Sequence, residues 1–204
     1  MFEFINDLIA LMKSVLTNGV LLILLICVVI IVYNSKGKSN TTYYIDKSRS
    51  VDFANQCSNI LRVSSINNTH KIKEVSDKNI ADIEIYLMSR ADMIAKRGKE
   101  LEMYPGTNKP IYFSWTYQHP KPTIFIDETN WLYSVEESGL SVENYRTYVI
   151  QHEFMHALGY DHQVCDASTA PNGICPIMYQ STRGCPKGFK CGYNITKFDY
   201  EKKL

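Results

Sequence analysis

Eleven residues in the second half of the chain gather side chains that bind metals and move protons: His152-Glu153-Phe154-Met155-His156-Ala157-Leu158-Gly159-Tyr160-Asp161-His162. On a helix, His152 and His156 stand four residues apart, so both imidazoles project from one face about a turn from each other. Two neutral imidazoles placed this way are natural ligands for Zn²⁺, at about 2.0–2.1 Å. Glu153 adjoins the first ligand and can hydrogen-bond a water without ligating. Gly159 can leave the helix with positive φ and turn the chain back sharply. That turn would bring His162 round as a third ligand. Three protein ligands leave one position open, the mark of a catalytic rather than a structural site. At average residue frequencies this pattern arises by chance in roughly five of 10⁸ windows. Three of the chain's five histidines lie inside it, so three merely structural histidines are the weaker reading.

The elements that must position these residues follow from periodicity. Ser141 is a plausible N-cap for a helix running from Val142 to about Leu158, which carries the first two histidines. Val51, Ala54, Cys57, Ile60 and Leu61 recur at helical spacing, so the pattern predicts an amphipathic helix from Val51 to Val63. Strand character is found at Thr41–Ile45, Ile80–Leu87, Ile111–Trp115 and Thr123–Ile126. Beyond Gly159 the chain is rich in Gly, Pro and Cys until a short final helix expected around Thr196–Lys203. Strands with one helix, then a long helix, then an irregular tail make an α+β layout.

The eleven-residue pattern resembles that of the metzincin zinc peptidases. Those enzymes also carry a methionine-containing turn beneath the metal, and Cys175-Pro176-Ile177-Met178-Tyr179 matches it, with Met178 as the methionine. Tyr145–Glu153, together with Met178–Thr182 and Cys185, is similar to a bacterial family of secreted metzincin-like proteins. The resemblance spans roughly residues 131–191. It implies a metzincin-like zincin fold: a mixed β-sheet, an active-site helix and a disulfide-stapled C-terminal subdomain ending in a short helix. It further implies one Zn²⁺ held by His152, His156 and His162, with Glu153 as general base in peptide hydrolysis. A peptide or protein substrate would lie extended along an upper-edge strand, for which Thr123–Asp127 is the candidate; an ordinary core strand is the equal alternative. Two positions depart from the family. Gln163 follows the third histidine, where no metzincin subfamily places glutamine. Gln180 stands where some relatives carry a transition-state tyrosine, and Tyr179, one residue early, is not assigned that role.

Six cysteines occur in the chain. Cys27 lies in an apolar run, while Cys165, Cys175, Cys185 and Cys191 cluster around the third histidine and the methionine turn, a segment short of hydrophobic residues. Disulfides there would staple a loop that packing alone could hardly hold. The resemblance favours Cys165 with Cys185, leaving Cys175 with Cys191. The odd Cys57 then stays free or pairs between chains. A second zinc site is the competing use, but no C-x₂-C spacing supports it.

The remaining features concern location and partners. Val20–Tyr33 is almost uninterruptedly apolar, and with the residues before it gives about the 20 needed to cross a bilayer. The reading is a flank at 1–14, a signal-anchor helix at 15–33 inserted in the lipid bilayer, a linker at 34–42 and a catalytic domain at 43–204. A cleaved signal peptide is the rival, although the run ends without a small-residue cleavage site. Lys36, Lys38, Lys47 and Arg49 after the span favour a cytoplasmic domain. The cysteines and the N-x-[ST] sequons at Asn40, Asn67 and Asn194, candidate glycosylation sites, favour an extracellular or lumenal one, and that placement is preferred. A net charge of +1 offers no basic surplus for nucleic acid. A non-catalytic, zinc-containing surface protein is the alternative function. The intact Glu153 counts against it, since a binding module needs no general base.

Overall fold

The computed structural model describes residues 40–97 and 114–201, all within one compact unit, Asn40–Leu204. The flank 1–14, the expected bilayer span 15–33 and residues 34–39 of the expected linker lie outside the described residues, as do the first three positions of the expected strand at 111–115. Among the described residues no helix is long and apolar enough to cross a membrane.

Five strands form one mixed sheet: β1 (Thr41–Ile45), β2 (Ile72–Glu74), β3 (Ile83–Met88), β4 (Trp115–Tyr117) and β5 (Thr123–Asp127), in the order β2-β1-β3-β5-β4. The pairs β1–β2, β1–β3 and β3–β5 are parallel, and β4 runs antiparallel to β5 with Trp115 opposite Phe125. The helices are α1 (Val51–Val63), α2 (Ile66–Thr69), α3 (Arg90–Arg97), α4 (Glu128–Tyr133) and α5 (Val142–Ala157). A mixed sheet with helices and an irregular tail agrees with the expected α+β class. β1 starts two residues inside the expected linker.

Alternation along the strands buries Tyr43, Ile45, Ile83, Ile85, Leu87, Ile124 and Ile126 in one core with Phe53, Ala54, Cys57 and Leu61 of α1 and Tyr145, Tyr148, Val149 and Phe154 of α5. The Tyr43 and Phe154 rings meet edge to face at 5.5 Å, fixing α5 against the sheet. Burying each such side chain contributes about 1.5–3 kcal/mol. Ser50 caps α1, accepting from Phe53 N at 3.1 Å, and Ser141 caps α5, accepting from Asn144 N at 3.2 Å. α5 lacks the one-sided apolar stripe of a surface helix. Gln151, His152 and Glu153 are buried along with Ile150 and Phe154, because the sheet covers one side and the C-terminal segment the other.

Three expectations need correction. Thr123–Asp127 is an internal strand between β3 and β4, not the edge; among the described residues the edge is β4. The disulfides join Cys165 to Cys175 and Cys185 to Cys191, not Cys165 to Cys185 and Cys175 to Cys191. Local turns decide this. Asp166 O accepts from Ala170 N at 2.8 Å and Pro186 O from Phe189 N at 2.9 Å, folding each short loop back on itself. The Cα separations of 5.1 and 5.6 Å then suit a disulfide. The final helix is a single 3₁₀ turn, Lys197–Tyr200. Cys57 is a free, fully buried thiol, and burial pushes its pKa up, so it behaves as a small apolar core residue.

Candidate metal centre

α5 delivers His152, Glu153 and His156 in one turn, and its end delivers His162. Tyr160 N donates to Met155 O at 3.0 Å and Gly159 N to His156 O at 2.8 Å, the paired bonds of a Schellman C-cap. Gly159 sits at φ +88° with open space where a Cβ would stand, so backbone conformation rather than crowding selects glycine. The chain reverses there and brings His162 back over the helix.

The three imidazoles converge. His156 Nε2 lies 3.2 Å from His152 Nε2 and 3.0 Å from His162 Nε2. One ligand atom from each residue falls within 4.8 Å of the others. The outer nitrogens fix two tautomers. His152 Nδ1 donates to Ile177 O at 2.7 Å and His156 Nδ1 to Tyr160 O at 2.7 Å. A carbonyl oxygen can only accept, so the proton is on Nδ1 and the Nε2 lone pair points inward. Burial, with His156 beside it, holds His152 well below the ordinary imidazole range and therefore neutral. Two inward lone pairs at 3.2 Å repel each other, an arrangement that a shared cation relieves. Tetrahedral Zn²⁺ with bonds of about 2.0–2.1 Å sets its ligand nitrogens about 3.3–3.4 Å apart. The residues fit the ion.

A cleft of about 300 Å³ opens onto this cluster and is lined by all three histidines, Glu153, Thr116 and Gln118. Glu153 is 5% exposed. The Thr116 hydroxyl lies 2.8 Å from Glu153 Oε2 and 2.9 Å from the Glu153 carbonyl oxygen, and Gln118 Nε2 donates to His156 O at 2.6 Å. Two alternate residues of and just past β4 thus fasten that strand to the turn of α5 that carries Glu153 and His156. Neither was foreseen; period-2 spacing within Trp115-Thr116-Tyr117-Gln118 was the available signal.

Below the cluster, Met178 is fully buried. Its turn closes through Tyr179 N donating to Pro176 O at 3.1 Å. The turn's backbone holds both flanks of the site: Ile177 O accepts from His152 Nδ1, and Met178 O accepts from Gln163 N at 3.0 Å, next to His162. Tyr179 packs against the disulfide cluster of Cys165, Ala170 and Cys175, while Gln180 lines the cleft. Among the sequons, Asn40 and Asn194 are exposed. Asn67 differs. Its amide nitrogen, the atom that would carry a glycan, donates to Leu61 O at 2.9 Å at the end of α1.

A family model described as "Protein of unknown function (DUF3152)" matches residues 35–197, which takes in the sheet, α5, the three histidines and the methionine turn. No curated protein matches the chain.

Proposed function

We propose that this chain, which belongs to the DUF3152 family, is a zinc-dependent peptidase built on a metzincin-like scaffold. The observation that carries the reading is the inward convergence of three imidazole Nε2 atoms, at 3.0 and 3.2 Å, beside the buried Glu153 carboxylate in a single cleft. Zinc bound there supplies a Lewis acid that polarises a carbonyl and acidifies water. Glu153 takes a proton from the attacking water and delivers it to the leaving amine. Thr116 holds the carboxylate of Glu153 towards the cleft. The mixed sheet supports a metzincin-like scaffold through one further feature: β4 ends the sheet, and among the described residues no strand pairs with its outer edge. An extended peptide can add to that edge by main-chain hydrogen bonds.

The same reading places residues 15–33 in the lipid bilayer and the catalytic domain on the extracellular or lumenal side. Two disulfides support an oxidising compartment.

Casein cleavage by the full chain, with and without a chelator, tests the activity. The expected result is proteolysis that the chelator abolishes and zinc restores. A zinc-loaded chain that cleaves nothing would favour the non-catalytic surface protein instead.

A further inference from the structure

Asp199 sits on the terminal 3₁₀ turn, far along the chain from α5, and is completely buried. Its Oδ1 accepts from Met178 N at 2.8 Å, and its Oδ2 accepts from Thr196 N at 2.6 Å and from the Thr196 hydroxyl at 2.8 Å. Each of these partners is a donor, which suits an ionised carboxylate. Asp199 is the third residue of a capping box opened by Thr196, and that position does not require a buried charge; a neutral amide oxygen accepts the same backbone bond. Burying an anion is costly, and burial here pushes the Asp199 pKa up against the donors that favour its charge.

The amide that Asp199 holds explains the charge. Met178 N–H and Ile177 C=O belong to one peptide unit, and that carbonyl accepts from His152 Nδ1 at 2.7 Å. Hydrogen bonds in series polarise one another. A carboxylate on the N–H makes the carbonyl a stronger acceptor, which fixes the imidazole and makes its Nε2 a better donor to a metal.

We propose that Asp199 is a positioning residue of the metal centre, acting on His152 through the Ile177–Met178 peptide. This rests on the metal-binding half of the proposed function and is independent of peptide hydrolysis. The terminal turn is then part of the metal site.

The zinc dissociation constant of the full chain, measured by competition with a chromogenic chelator, tests the proposal on Asp199→Asn and Thr196→Val. Asp199→Asn removes the charge at constant shape and is expected to weaken zinc about tenfold to hundredfold. It is also expected to shift the visible absorption bands of the Co²⁺-substituted protein. Thr196→Val loosens the cap but leaves the Asp199–Met178 bond, so affinity and bands stay close to wild type. Wild-type affinity in Asp199→Asn would overturn the proposal. So would equal weakening in both variants, or an Asp199→Asn chain that fails to fold while Thr196→Val folds and loads zinc; either result makes Asp199 a cap alone. A wild-type chain that binds no zinc removes the premise along with the proposal. Zinc binding without proteolysis leaves it standing and defeats only the peptidase reading.

Discussion

The two halves of the proposed metal centre are built in opposite ways. On the α5 side, one turn of regular helix sets His152, Glu153 and His156 by backbone geometry, inside a core of strand isoleucines and ring contacts. Beyond Gly159, His162 and Met178 lie in a segment whose only regular elements, among the described residues, are short 3₁₀ turns. It is held by two disulfides, the methionine-turn backbone and Asp199. The difference teaches that a helix sets the spacing of His152, Glu153 and His156 by itself, whereas His162 depends on turns and cross-links, and the irregular half reaches back through the Ile177–Met178 peptide to fix the His152 ring. The irregular half is therefore where stability and metal affinity should be most closely linked.

Breaking the helical half should have the largest effects. His156→Ala removes the nitrogen common to both short contacts and should abolish both bound zinc and proteolysis, read by metal analysis and casein cleavage. Glu153→Gln should separate the two readouts: zinc stays stoichiometric while kcat falls about 10²–10⁴-fold. Full activity in that variant would refute the role of Glu153 as base.

Disturbing the irregular half should act through stability first. Replacing Cys165 and Cys175 together by serine opens the loop beside His162 and should cost about 2–3 kcal/mol in denaturant unfolding. Helix content by far-ultraviolet circular dichroism should stay near wild type, because the sheet–α5 core is untouched. A large loss of helix would mean the halves are not separable in this way. Smaller again is Thr116→Val, which removes a hydrogen bond to a charged group and should lower kcat about tenfold, some 1.5 kcal/mol, with KM little changed. Thr116→Ser should restore it. An effect of similar size, on stability rather than turnover, is expected of Gly159→Ala, which meets no neighbour and bears only the left-handed backbone cost of about 1–2 kcal/mol.

Local information accounts for what the sequence made legible. The bounds of α1, the Ser141 cap of α5, β1 and the clustering of the three histidines follow from periods and caps that act over a few residues. β2, α2 and α4 were not legible, since three to six residues carry no readable period; α4 exists because Asp127 caps it, accepting from Asn130 N at 2.8 Å while also taking Arg90 at 2.7 Å. Thr116 and Asp199 matter only through partners 37 and 21 residues away, which no window of sequence exposes. The T-x-x-D spacing of Thr196 and Asp199 was an available capping-box signal that the expectation of a final helix did not draw on. That the same carboxylate would reach Met178 N–H it could not announce. The disulfide pairing failed for a related reason: four cysteines admit three pairings, and the choice rests on turns at Asp166 and Pro186 that only the folded loop displays.

Zinc K-edge X-ray absorption on the metal-loaded full chain tests the convergence of the two halves most directly. Three imidazole nitrogens and one further light atom at about 2.0–2.1 Å are expected. A shell containing sulfur at about 2.3 Å, or a chain that takes up no zinc at all, would contradict the centre described.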